Sequence, residues 1–196
     1  MHGGRITSEQ ESTFRTYAGG TFTILLTLGA CYLFFLAHEE RKQTTGFDPK
    51  RPIPSDSVLR NRLTAEEYRV VREGGSQTPF QNEYWNNKRA GIYVDVITGE
   101  PLFTSLDKFD TGLGVPEFAK PISNDLLIEK LDTSYDMQRT EVRARRSNAH
   151  LGYLFPEPKS PSGQSYNINS AALHFIPIEE MKEKSYGKYL PLLRKK

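Results

Sequence analysis

Residues 91–103 read GIYVDVITGEPLF, and this stretch indicates how the folded part of the chain is built. Its first seven residues are rich in β-branched and aromatic side chains, which favour a strand. The segment Thr98-Gly99-Glu100-Pro101 then has the composition of a turn, and Leu102 begins a second apolar run. The stretch therefore predicts two short strands joined by a tight turn.

Similar patterns on either side extend this prediction to a mainly β domain. Three further strand-like segments, separated by prolines and glycines, are residues 140–145, 150–155 and 165–170. Towards the N-terminus, Thr64 and Glu67 form a capping box that predicts a helix ending at Gly74. Residues 124–130 fit a second short helix. Several short strands with few helices are typical of a small β-rich domain.

The composition excludes several classes of function. The chain has 196 residues, a net charge of +2 and one cysteine, Cys31. A single cysteine excludes an internal disulfide framework and any metal site built from several cysteines. The small net charge falls short of the basic surface that nucleic-acid binding requires. The histidines are scattered without metal-ligand spacing, so we expect no bound metal. We also expect no cofactor and no nucleic-acid partner.

Residues 17–37 form an uncharged stretch, YAGGTFTILLTLGACYLFFLA. A helix of this length is about 31 Å long, which matches the hydrocarbon thickness of a bilayer. We predict one N-terminal transmembrane α-helix, with a buried helix or a cleaved signal peptide as the alternatives. Small residues on one flank suit close packing against another membrane helix, or simply face lipid. They are Gly19, Gly20, Gly29 and Ala30.

The rest of the chain divides by composition. Prolines alternate with charged residues and serines after the span, which predicts an extended arm. The expected organisation is an N-terminal segment (1–16), the span (17–37), the arm (38–62), a β domain (63–193) and a basic tail (194–196). Lys and Arg are more frequent after the span than before it, which favours the cytosol-like side for the large C-terminal part.

Residues 63–193 resemble the methionine sulfoxide reductase B (MsrB) family. The strings GEPLF, SLDKFD, HLGYLFP and INSAALHF occur in the order and spacing of that family. The resemblance implies two small antiparallel sheets with peripheral short helices and a shallow pocket for an oxidised methionine side chain. It also implies reduction of methionine R-sulfoxide by a thiolate, with acid catalysis for the departing oxygen.

The same resemblance shows that the family's pocket residues are changed in this chain. The position of the nucleophilic cysteine holds Asn167, and an amide is neither a nucleophile nor an acid. The usual arginine, second histidine and tryptophan correspond to Ser165, Tyr153 and Val115. His150 and the motif residue Asn169 are retained, whereas the recycling cysteine corresponds to Leu113 and the zinc-binding cysteine pairs are missing.

These changes lead to a hypothesis of a pseudoenzyme. In it the chain is a non-catalytic accessory subunit of a membrane protein complex, of the respiratory-chain type and in the mitochondrial inner membrane. A thylakoid or bacterial membrane is the alternative location. The other functions considered are a membrane-tethered module that binds oxidised methionine or another small ligand without turnover, and an enzyme that uses His150 and Tyr153 for different chemistry. The basic cluster of Arg143, Arg145 and Arg146 is either a solvated strand end or a contact for a partner subunit or anionic lipid.

Overall fold

The structure is a computed structural model and describes residues 46–194. Two α-helices precede nine strands in this part of the chain. The helices are α1 (Asp56–Arg62) and α2 (Ala65–Glu73). The first five strands are β1 (Gly91–Asp95), β2 (Pro101–Thr104), β3 (Lys108–Phe109), β4 (Glu117–Phe118) and β5 (Leu127–Asp132). The last four are β6 (Arg139–Ala144), β7 (His150–Pro156), β8 (Gln164–Ile168) and β9 (Leu173–Pro177).

The strands form two antiparallel sheets. One sheet has three strands in the order β2-β1-β9, and the other has six in the order β3-β4-β8-β7-β6-β5. The prediction of a mainly β domain with two antiparallel sheets and few helices is confirmed. The hydrophobic core combines side chains of both sheets, and within it the rings of Phe103 and Phe118 stack with their centroids 4.4 Å apart. This contact joins β2 of the smaller sheet to β4 of the larger one.

Helix α2 begins and ends where the sequence predicts. The side chain of Thr64 accepts a hydrogen bond from the backbone N–H of Glu67, and the Glu67 carboxylate accepts one from the N–H of Thr64. At the other end, Gly74 adopts the left-handed conformation with φ of 71°. Both ends are therefore satisfied locally, by the capping box and by a residue without a Cβ.

Two predicted segments differ in the structure. The arm expected over residues 38–62 contains α1, because its two last prolines, Pro52 and Pro54, precede the helix and do not interrupt it. The second helix expected over residues 124–130 is limited to a 3-10 turn, Asn124–Leu126. The following residues form β5 instead, because they pair with β6 along its whole length.

The burial of Leu59 makes α1 part of the folded domain. Leu59 is fully buried in the main core, whereas its neighbour Val58 is 49% exposed. We expect Leu59→Ala to lower the free energy of unfolding by about 2 kcal/mol, because it leaves a cavity that the surrounding chain fills only in part. Val58→Ala, the matched control, changes it by less than about 0.5 kcal/mol. Urea denaturation of the two variants measures the difference, and equal midpoints would contradict the docking of α1.

The predicted transmembrane helix at residues 17–37 lies outside the described residues, as do the small residues on its flank. Between residues 46 and 194, no helix is both long and apolar enough to cross a bilayer.

Candidate active site

A row of polar side chains crosses one face of the larger sheet. Glu117 of β4 lies opposite Asn167 of β8, Asn167 opposite Tyr153 of β7, and Tyr153 opposite Glu141 of β6. Directly opposed residues of an antiparallel sheet project from the same face. The register therefore brings together residues that are up to 50 positions apart in the chain, with Asn167 near the centre of the row.

A β-bulge in β7 adds His150 to this row. The pairing of β6 with β7 shifts by one residue, so that Leu151 is the extra residue between the pairs Val142–Gly152 and Arg143–His150. Residues three apart in a regular strand face opposite sides, but the bulge turns His150 to the side of Tyr153, with ring centroids 5.4 Å apart. His150 Nδ1 lies 2.7 Å from the Glu141 carboxylate, which Arg143 also contacts at 2.6 Å.

The hydroxyl of Tyr153 forms a hydrogen bond with a neighbouring carboxylate. Its O–H donates to Asp132 at 3.1 Å, and Arg139 forms an ion pair with the same carboxylate at 2.7 Å. The Arg139 guanidinium also lies 4.2 Å from the centre of the Tyr153 ring. Burial, followed by the bond to Asp132, raises the pKa of Tyr153. Tyr153 is therefore a neutral phenol that donates its proton in a hydrogen bond to the Asp132 carboxylate.

His150 is neutral and almost completely buried. Burial lowers the pKa of His150, and the bond to Glu141 opposes this effect without cancelling it. For Glu141, burial alone would raise the pKa, but hydrogen bonds from His150 and Arg143 lower it overall. Glu141 is thus a carboxylate that accepts the Nδ1 proton of His150. The other ring nitrogen, Nε2, is buried without a partner among the described residues.

The lowered pKa of His150 predicts a loss of stability in weak acid. Above about pH 6.5 the imidazole is neutral in both the folded and the unfolded chain; below it, the unfolded chain takes up a proton first. We expect the free energy of unfolding to fall by up to about 1.4 kcal/mol per pH unit below pH 6.5, until the folded pKa is reached. His150→Gln abolishes this part of the pH dependence, and His174→Gln, which removes an exposed imidazole, keeps it. Denaturation between about pH 7.5 and pH 5 measures both; an unchanged slope in His150→Gln would refute the assignment.

A second polar group lies at the other end of the row. Glu117 is fully buried, and its two carboxylate oxygens accept hydrogen bonds from the backbone N–H and the hydroxyl of Thr111, at 2.8 and 2.6 Å. Ser165, also buried, has its hydroxyl oxygen 3.5 Å from Glu117 and 2.5 Å from the side-chain oxygen of Asn167. Thr111, Glu117, Ser165 and Asn167 therefore form one connected chain of polar groups.

The structure thus brings four of the predicted pocket residues together: His150, Tyr153, Ser165 and Asn167. Val115 is half-buried in the loop that leads into β4. Asn169 has a structural role instead, because its side chain bonds the backbone N–H of Gln77 and the carbonyl of Leu151. Asp132, Arg139 and Glu141 were not predicted as site residues. Strand alternation could have pointed to Glu141, but nothing local relates Asp132 to Tyr153.

The predicted basic cluster is engaged within the chain itself. Arg143 bonds Glu141 and Asn148, Arg145 bonds the carbonyl oxygens of Asp125 and Leu127, and Arg146 bonds that of Arg51. The proposal that these arginines contact a partner stays a prediction.

The sequence that builds this site is similar to that of known proteins. The profile of the SelR domain matches residues 63–177, which is more than half of the chain. This chain belongs to the SelR domain family. The chain is also 46% identical, over 141 residues, to the protein of Vibrio cholerae serotype O1 named peptide methionine sulfoxide reductase MsrA/MsrB. The matched region covers 72% of this chain but only 37% of that relative.

These findings correct the functional hypothesis. Membership of the SelR family and the similarity to a named reductase point to a methionine sulfoxide reductase. They overturn the prediction of a pseudoenzyme that serves as a structural subunit of a respiratory-type complex, and with it the alternative of a binding module without turnover. The associated location in a mitochondrial membrane has no support in them.

This SelR domain contains no cysteine. The chain has a single cysteine, Cys31, which lies outside the region matched by the SelR domain (63–177) and outside the described residues. The matched region therefore contains no thiol, and Asn167 stands where the resemblance places the nucleophile. The same absence of cysteine removes the thiolate ligands of a zinc site. Between residues 46 and 194, no group of histidine, cysteine or acidic residues is arranged to hold a metal.

Proposed function

We propose that this chain reduces methionine sulfoxide in peptides, using electrons from thiols that it does not itself carry in the site. The support for the substrate is the SelR domain and its similarity to a peptide methionine sulfoxide reductase. The support for an external reductant is the amide of Asn167 at the centre of the polar row, in a matched region without cysteine.

The reaction balances with two external thiols. The first thiol forms a bond from its sulfur to the sulfoxide sulfur while the S–O bond breaks. The second thiol displaces the methionine sulfur, so that a disulfide leaves and the thioether is restored. The two thiol protons and the sulfoxide oxygen form water. The role of the site is to hold the sulfoxide side chain against the sheet and to orient its oxygen, because neither His150 nor Tyr153 has a proton available for transfer.

The test uses the full chain and a peptide that contains methionine R-sulfoxide, with dithiothreitol as the thiol. We expect reduction faster than in a control without protein, with a rate that rises in proportion to thiol concentration. The S-sulfoxide peptide serves as a control for specificity, since the family distinguishes the two epimers. Turnover no faster than without protein contradicts the proposal.

Cys31→Ser separates the two possible sources of the thiol. This variant contains no cysteine at all, so an external thiol must supply both electrons. We expect it to retain the activity of the natural chain. Loss of activity in Cys31→Ser would show that Cys31 is the nucleophile and would overturn the external-thiol mechanism while leaving the substrate assignment intact.

We further propose that residues 17–37 anchor the chain in a lipid bilayer. The support is a run of 21 uncharged residues, long enough for a helix to cross the hydrocarbon layer. The full chain should then stay with membranes in a carbonate wash. Leu25→Lys with Leu26→Lys should release it, because two charges near the middle of the span oppose insertion. Complete release of the natural chain would refute the anchor.

A further inference from the structure

We propose that the side-chain N–H₂ of Asn167 is the hydrogen-bond donor that binds the sulfoxide oxygen, with Ser165 as the residue that fixes its orientation. This inference rests on the proposed substrate. It assigns a role to a side chain that cannot act as the nucleophile, and it names the group that distinguishes the oxidised from the reduced methionine side chain.

Most of the protons along the polar row are already donated to neighbouring acceptors. The hydroxyl of Tyr153 donates to Asp132, and the Nδ1 proton of His150 is held by Glu141. Glu117 and Glu141 present acceptors. The nitrogen of the Asn167 amide has no partner among the described residues, although its oxygen has one. Within the row from Glu117 to Glu141, Asn167 is therefore the side chain whose N–H groups are free to donate hydrogen bonds to a ligand.

The contact with Ser165 determines the orientation of the Asn167 amide. Ser165 Oγ and Asn167 Oδ1 are 2.5 Å apart. This distance is at the short end of the range for an O–H···O hydrogen bond and is shorter than the range for an N–H···O bond. The opposite orientation would place the nitrogen against Ser165 and leave the hydroxyl to donate to Glu117 across 3.5 Å, a weak interaction. The oxygen of Asn167 therefore faces Ser165, and the nitrogen faces away from it.

Ser165 is itself held in place by its surroundings. Its side chain is 2% exposed, and its hydroxyl lies between two acceptors, Glu117 and Asn167. Glu117 is in turn held by the two hydrogen bonds from Thr111. With one proton and two neighbouring acceptors, the Ser165 hydroxyl donates to the nearer one. Ser165 is thus a positioning residue for the amide of Asn167.

The ligand that fits this donor is a sulfoxide. The sulfoxide oxygen carries a partial negative charge and accepts hydrogen bonds strongly, whereas a thioether sulfur is a weak acceptor. On the same face, Phe155 lies two residues beyond Tyr153, opposite Ser165, and the residue is 37% exposed. An exposed aromatic ring beside the donor offers apolar contact to the methyl and methylene groups of the side chain.

The experiment measures binding without any added thiol, so that no turnover is needed. The ¹⁵N-labelled full chain in detergent is titrated with three peptides that differ only in carrying methionine sulfoxide, methionine or methionine sulfone. We expect the side-chain N–H₂ resonances of Asn167 to shift with the sulfoxide peptide and to stay in place with the methionine peptide. Assignment comes from their loss in Asn167→Asp.

Two variants measure the contribution of the donor. Asn167→Asp keeps the shape but replaces the donor with a charged acceptor, and should weaken sulfoxide binding by about 10-fold or more. Asn86→Asp, at an exposed position, is the control for the added charge and should bind normally. Ser165→Ala should weaken binding less, and Ser165→Thr should restore it because the hydroxyl is kept. Melting temperatures verify that each variant is folded.

The possible outcomes are distinct. If the sulfoxide peptide binds but Asn167→Asp binds it equally well, the role of Asn167 is refuted and the proposed function stands. The same holds if the methionine peptide binds as tightly as the sulfoxide peptide and moves the same resonances. If no sulfoxide peptide binds at all, the proposed function fails together with this inference.

Discussion

Asn167→Cys increases the rate of methionine sulfoxide reduction by on the order of 100-fold, because it converts attack by a dissolved thiol into attack by one held in the site. The new thiol lies on the same face as Tyr153 and opposite the buried carboxylate of Glu117. The measurement is reduction of the R-sulfoxide peptide by the full chain with dithiothreitol. Asn167→Ser, which has no redox chemistry, is the control and shows no such increase.

The pH dependence of this variant provides a second check. A thiolate is the reactive form of a cysteine, so the rate of Asn167→Cys should rise with pH as the new thiol ionises, and the ordinary cysteine pKa of about 8.5 is the reference for that rise. A variant no faster than the natural chain at any pH would show that a sulfoxide does not reach position 167.

Gly152→Ala should be among the most destabilising single substitutions in the domain. A Cβ at Gly152 would overlap the backbone carbonyl oxygen of Asn167, which belongs to the paired strand and has little freedom to move. We expect the free energy of unfolding to fall by about 3 kcal/mol or more, at the upper end of overpacking effects. The bulge that orients His150 should be displaced as well.

Gly187→Ala is the matched control for this substitution. A Cβ at Gly187 would have its nearest neighbour, Lys182, at an ordinary contact distance of 3.5 Å. Its effect on the free energy of unfolding should stay within about 0.5 kcal/mol. Thermal and urea denaturation of both variants measure the contrast. Equal stability of Gly152→Ala and Gly187→Ala would contradict the close approach of β7 and β8.

Much of the fold follows from local patterns. The strand and turn around Gly91 to Leu102, the capping box at Thr64 and the strand-like segments near the C-terminus all depend on neighbouring residues. Such signals are visible along the chain because strands and helix ends have short periods and fixed chemistry. Helix α1 was missed because its stability comes from docking Leu59 into a core that the rest of the chain provides.

The candidate site was predictable only in part. The resemblance to the MsrB family rests on motifs of the chain itself, and it identified His150, Tyr153, Ser165 and Asn167 as pocket residues. The inference that a changed pocket implies a non-catalytic subunit was wrong, because the family and the Vibrio cholerae relative point to a reductase.

The sequence by itself determined the chemical inventory of this protein: one cysteine outside the SelR domain, an amide at position 167 and a mainly β architecture. Only the tertiary structure decided how these groups are used. Strand register places Glu117 beside Asn167. The bulge at Leu151 turns His150 towards Tyr153, whose hydroxyl donates a hydrogen bond to Asp132. The physical reason is that the sequence fixes which side chain stands at each position. Which acceptor receives the proton of that side chain depends on pairing between strands that are distant in the chain.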